Sequence, residues 1–172
     1  MKLVFVATFL FFGLFVSAQN NNPLIETSTY SIQPPKGWTV DTSKTQGAEL
    51  FLFSSLENKK DQFRENINLI VQNISSYGLS LDEYVKISEK QIQSEMLKDG
   101  VLISSERMHK DRRDFQKMIY TMSLGVFKLK ILQYAFMVNG SAYVLTFTAE
   151  AATFDNYFPD AYKTMNTFTI KL

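Results

Sequence analysis

The chain has 172 residues, a formal charge of +1 with its one histidine neutral, 45% hydrophobic residues and no cysteine. The absence of thiols excludes a disulfide framework, thiolate metal sites and cysteine nucleophiles, and the near-neutral charge argues against a generalised nucleic-acid or anionic-membrane surface. Stability has to come from a hydrophobic core alone, which a chain of this length can bury in one domain.

The first segment, MKLVFVATFLFFGLFVSAQ, has Lys2, a short apolar run and the small-residue site Val16-Ser17-Ala18. It reads as a secretory signal peptide, residues 1–18, cleaved after Ala18. Its apolar run is too short for a comfortable bilayer span of about 20 residues, so no transmembrane helix is expected after cleavage. The expected location is exported, periplasmic or extracellular. Residues 19–26 read as a flexible polar leader, and residues 27–172 as one domain.

Thr27 to Ile32 alternates weakly, and Pro34-Pro35-Lys36-Gly37-Trp38 excludes helix, so two strands around a tight turn are expected there. Ala48 to Phe53, AELFLF, is apolar on both parities apart from Glu49, as in a strand covered on both faces. Glu57 to Glu65 is a charged connection. Ile67, Leu69 and Val71 then alternate with Asn66, Asn68 and Gln72, giving a strand with one apolar face and one largely amide-bearing face.

Ser80-Leu81-Asp82-Glu83 is a capping box, and Leu81, Tyr84, Val85, Ser88, Ile92 and Met96 recur at helical spacing behind it. Asp99-Gly100 is expected to end this helix, with Gly100 in the left-handed position. Val101 to Ser105 reads as a strand, followed by the dense charges of Arg107 to Asp114. Phe115 to Leu124 alternates again, and Gly125-Val126 suits a type II′ turn.

Asn139-Gly140 suits a two-residue type I′ hairpin, which fixes the register of the flanking runs. Phe136 then faces Tyr143, Tyr134 faces Leu145 and Leu132 faces Phe147, a ladder of large apolar pairs. The apolar parity switches at Ile131-Leu132, through either a β-bulge or a change in the covered face. A second amphipathic helix is expected from Phe154 to Asn166, with Phe168, Ile170 and Leu172 as a closing strand. The order predicts an α+β fold: a central antiparallel sheet of six to seven strands packed with two main helices, on one face or one on each.

Several of these segments occur together in a known pattern: Pro35-Lys36-Gly37-Trp38, Phe63-Arg64-Glu65-Asn66-Ile67-Asn68-Leu69, Leu81-Asp82-Glu83-Tyr84, Tyr143 to Ala149, Phe154-Asp155-Asn156-Tyr157-Phe158-Pro159 and Asn166-Thr167-Phe168. In order and spacing they resemble the DcrB-like and PsbP-like proteins over most of the chain. The resemblance implies a sheet between helices and a binding or accessory role. Family members serve as a photosystem extrinsic subunit, as exported bacterial proteins, and as a nuclear-transport factor that contacts a small GTPase. Because fold does not fix function, no partner and no catalytic residue carries over.

The chemistry-bearing residues are few. A lone His109 and no cysteine exclude a His-based metal cluster or a Cys-His pair within one chain, and the scattered glycines make no phosphate loop. No catalytic, cofactor-binding or metal residue is expected, and no cofactor. The charged run reads either as a solvated hairpin connection or as a docking patch, Arg107, His109, Lys110, Arg112 and Arg113, for an acidic partner or anionic headgroup. As exposed charges, Arg107, Lys110, Arg112 and Arg113 are expected to leave the fold nearly unchanged when replaced with serine. The function expected is that of an exported non-catalytic binding or accessory protein, acting on an unknown protein or envelope component, with no nucleic acid and an open oligomeric state. The alternatives are a serine-dependent hydrolase using His109 and a carrier of a small apolar ligand between sheet and helix.

Overall fold

The computed structural model describes residues 22–94 and 97–171. The expected signal peptide lies outside these residues, as do Met96 and Leu172. The fold is α+β. A seven-stranded antiparallel sheet is built from β3 (Thr39–Asp41), β4 (Ala48–Phe53), β5 (Asn66–Asn73), β6 (Val101–Lys110), β7 (Arg113–Leu124), β8 (Phe127–Val138) and β9 (Ser141–Glu150), in the order β3-β4-β5-β9-β8-β7-β6. A smaller sheet joins β1 (Ile25–Glu26), β2 (Tyr30–Ile32) and β10 (Thr169–Ile170) in the order β1-β2-β10. The helices are α1 (Leu81–Ile92) and α2 (Phe154–Thr167).

One helix lies on each face of the main sheet. Leu132, Tyr134, Phe136, Leu145 and Phe147 pack with Phe154, Ala161 and Met165 of α2. Met118, Tyr120, Leu129, Ile131, Ala135 and Val144 pack with Tyr84 and Ile92 of α1. This decides the parity switch on β8. The β8–β9 register runs without interruption from Val138↔Ser141 to Leu129↔Glu150, so no bulge occurs at Ile131-Leu132. The covered face changes instead. Near the first turn of α2 the β8 residue facing it is Lys130, whose ammonium sits 4.4 Å from the centroid of the Phe154 ring and 3.4 Å from Asp155. The bulges lie elsewhere, between Ala48 and Leu50 and between Leu102 and Ser104.

Both hairpin turns take the expected form. Asn139 and Gly140 have φ of 50° and 73°, as a type I′ turn requires, and the aromatic ladder pairs as the turn dictates. At the other turn Gly125 alone has positive φ, consistent with type II′.

Four expectations need correction. The strands flanking Pro34 to Trp38 do not pair with each other: β2 joins β1 and β10, while β3 joins β4. The turn itself forms, with the Trp38 N–H donating to the Pro35 carbonyl and Gly37 at φ 78°. The described part of the leader is tied down, because the Asn22 amide donates to the Pro35 and Trp38 carbonyls and Ile25–Glu26 pairs with β2.

Helix α1 stops at Ile92, and it is Asp99, at φ 57°, that takes the left-handed conformation in place of Gly100. Gly100 answers a steric demand instead, since a Cβ there would lie 1.9 Å from the Ile92 carbonyl oxygen. Finally, Arg107 to Asp114 is not a loop. It is the paired end of β6 and β7 around an Asp111-Arg112 turn with φ of 50° and 64°.

Candidate binding surface

The hairpin tip shows what the charged run does. Residues of alternating parity on β6 point to opposite faces, so the five side chains expected to form one patch are divided. Arg107 donates to the Gln116 side chain at 3.0 Å and to the Asp82 carboxylate in the first turn of α1. Lys110 donates to the carbonyls of Asn166 and Phe168, the latter at 3.1 Å, and so caps the C-terminal end of α2, where a cation also meets the negative end of the helix dipole. Arg113 donates to the Ile170 carbonyl of β10 at 2.7 Å.

His109 Nδ1 lies 2.8 Å from Asp114, its cross-strand partner, and both side chains are exposed. Arg112 is exposed at the turn. The premise that these charges are merely exposed does not hold for Lys110 and Arg113, which tie the hairpin to the C-terminal elements and so argue against their being dispensable to the fold.

At the opposite end of the sheet lies a buried carboxylate. Glu65 is 2% exposed, and its oxygens accept from the Ser54 hydroxyl at 3.1 Å and the Thr153 hydroxyl at 2.9 Å. Burial pushes its carboxyl above the ordinary range, against the lowering effect of these hydrogen bonds, and the nearby Asp61 charge raises it further. The cluster joins the end of β4, the start of β5 and the start of α2. Thr153 spends its hydroxyl on Glu65 and the Glu150 carbonyl and makes no side-chain cap for α2.

The amide face of β5 is buried as well. Asn66 and Asn68 pair with Thr148 and Thr146 of β9, and Gln133 donates to Thr146 at 3.2 Å. Asn68 Oδ1 and Thr148 Oγ1 have no hydrogen-bond partner.

The α1 face is only partly roofed. Helix α1 packs mainly on β6, β7 and β8, and β3 and β4 lie outside that main contact. There Phe51 and Phe53 stack with centroids 5.2 Å apart and planes 9° from parallel, both half-buried, and the Arg64 guanidinium lies 5.1 Å from the Phe53 ring centroid. Sequence reasoning passed over these residues. The signal was the apolar character of AELFLF on both parities apart from Glu49, which reads as a doubly covered strand but serves here as one core face and one half-buried aromatic face.

Among the described residues no group of three or more His, Asp and Glu side chains is placed to hold a metal ion, and no helix is long and apolar enough to cross a membrane. The space between sheet and α1 is filled by side chains, with Met118, Leu129 and Ile131 at 0% exposure.

No family model and no curated protein sequence matches the chain. Solved structures do. A cyanobacterial PsbP from Synechocystis is similar at 16% identity and a TM-score of 0.57, over 83% of this chain and 86% of that one. A Pseudomonas aeruginosa protein of unknown function is similar at 10% identity and a TM-score of 0.64, over 88% and 99% of the two chains. LpqN of Mycobacterium tuberculosis, involved in cell envelope biogenesis, is similar at 11% identity and a TM-score of 0.58, over 83% of each. At these identities the likeness concerns the fold, which is PsbP-like.

Proposed function

We propose that the protein is an exported, non-catalytic binding or accessory factor that works by contact with another protein at the envelope. One observation carries this reading. Large apolar side chains are exposed at one end of the main sheet: Leu56 in the 54–65 connection, Val126 at the tip of the β7–β8 turn, and Val101 and Ile103 at the start of β6. Val126, 86% exposed, adds nothing to the core. Covering such side chains stabilises a complex by about 1.5 kcal/mol or more for each one fully buried.

Export is supported by the signal-like residues 1–18, and an envelope setting by the likeness to LpqN. The placement of His109 weighs against the hydrolase alternative, because its ring is held by Asp114 on an exposed hairpin tip. On that hairpin Arg112 remains available to an acidic partner, which would have to compete with Asp114 for His109 and with backbone carbonyls for Lys110 and Arg113.

Site-specific photo-crosslinking in the native host tests the reading. A photoreactive residue at Val126 should give a discrete adduct with an envelope protein, and one at Asp111, at the other end of the sheet, should not. The reading fails if Val126 yields no adduct. It also fails if a fluorophosphonate labels the chain and the label is lost on His109→Ala.

A further inference from the structure

Arg64 is a half-buried cation held without a counter-charge, as Arg113 is at the hairpin tip. It lies on the aromatic side of β4, and only two of its five N–H groups are engaged, Nε with the Ser54 carbonyl at 2.7 Å and one terminal nitrogen with the Thr39 hydroxyl at 3.2 Å. Neither partner carries charge. The acids closest in sequence are all committed elsewhere: Glu57 to the Tyr157 hydroxyl, Asp61 to the backbone N–H groups of Glu57 and Phe63, and Glu65 to Ser54 and Thr153. Among the described residues no carboxylate forms an ion pair with Arg64, whereas Lys44, Arg107, Lys128, Lys130 and Lys171 each have one. Partial burial of a guanidinium without a counter-charge costs desolvation energy, and burial accordingly lowers its pKa.

Beside it lie the two stacked rings of Phe51 and Phe53, on a strand outside the main contact of α1. We propose that Arg64, Phe53 and Phe51 form the anchor of the contact surface, and that it receives an acidic–aromatic segment of a protein partner: a carboxylate on the free edge of the guanidinium and a ring against the Phe51–Phe53 pair. The proposal rests on the accessory-protein reading and names the chemistry of its contact. A planar guanidinium accepts a carboxylate through two parallel N–H bonds, and a ring set against Phe51 extends an existing stack. Asp41 lies on the same face, since it pairs with Phe51, while Glu49 sits at the β4 bulge and is paired with Lys44 at 3.0 Å. One guanidinium without a counter-charge beside apolar rings suits one carboxylate and offers little to a densely anionic lipid surface.

The test is an NMR titration of the isotopically labelled chain with the probe N-acetyl-Phe-Asp-amide, and with N-acetyl-Phe-Asn-amide as its neutral counterpart. The acidic probe should shift the signals of Arg64 Nε–H, Phe51 and Phe53 and bind about tenfold more tightly than the neutral one. Arg64→Lys, which keeps the charge and loses the planar fork, should remove most of that preference while the remaining spectrum stays that of the folded chain.

Equal binding of the two probes overturns the proposal, as do shifts confined to another surface or an unchanged preference in Arg64→Lys. Capture of phosphatidylglycerol vesicles that the acidic probe does not compete away would assign the surface to lipid and also overturn it. A Val126 adduct that persists in Arg64→Lys at unchanged yield removes Arg64 as anchor and leaves the accessory reading standing. No Val126 adduct in any variant removes the reading itself.

Discussion

Gly140 and Gly100 show two different reasons for a side chain to be absent. At Gly140 the backbone needs a φ of 73°, and the Cβ of any other residue would lie 2.7 Å from the Ser75 Cβ. The Ile74 N–H also donates to the Gly140 carbonyl at 2.9 Å, so the turn is packed from outside. Gly140→Val should therefore cost more than about 2 kcal/mol, combining left-handed strain with overpacking, and thermal melts should show a clear fall in midpoint. At Gly100 the backbone is unremarkable in φ, and the constraint is the Ile92 carbonyl at the end of α1. Gly100→Ala should cost about 2–3 kcal/mol although alanine is the mildest of substitutions. An unchanged denaturant midpoint would mean that the 97–100 connection shifts freely away from the helix. Sequence could suggest the first glycine, because Asn-Gly between apolar runs implies a turn; the second depends on a contact eight residues away that no local pattern records.

The elements divide the same way between what local pattern dictates and what assembly decides. The capping box on α1, the type I′ register of β8 and β9 and the amphipathic stripe of α2 are local, and all were legible in the sequence. The pairing of β2 with β10 was not, because two short strands far apart in sequence carry no period that names a partner. Nor was the role of the charged run. A cation written in a sequence looks the same whether it faces water or a helix terminus, and only the return of the chain places the α2 carbonyls beside Lys110. As a result the site was only partly legible: the hairpin was singled out for its charge, while Arg64 and its aromatic neighbours drew no attention as a group. The stapling role is measurable. Lys110→Met and Arg113→Met should each cost about 1 kcal/mol, with amide exchange accelerating first in the last turn of α2 for the former and around β10 for the latter. Replacement of Arg112, which is exposed at the turn, should leave exchange at both places unchanged.

At the scale of the whole molecule the sheet is a partition between two cores, and Glu65 sits where strands, connection and second helix meet. Its carboxylate receives two hydroxyl hydrogen bonds but no cation, with Arg64 turned to the other face and Asp61 adding like charge. Burial raises the folded-state pKa from its ordinary 4.5, with Asp61 a minor addition, and the sign of the linkage follows. Between the unfolded and the folded value the native state binds the proton more tightly, so the stabilisation is full below the unfolded pKa and is lost as pH rises through the folded one. Above that range a bare carboxylate is held in a poorly hydrated junction. Glu65→Gln keeps the shape, lets the hydroxyls of Ser54 and Thr153 rotate to meet an amide, and removes the charge. The variant should match the parent at pH 4 and become progressively more stable than it as the pH rises toward neutrality, a divergence that paired urea denaturations across that range would display. A constant difference at every pH would mean that Glu65 is not the titrating group at this junction. A variant less stable than the parent at neutral pH would mean that the hydrogen bonds from Ser54 and Thr153 favour the ionised carboxylate by more than burial penalises it.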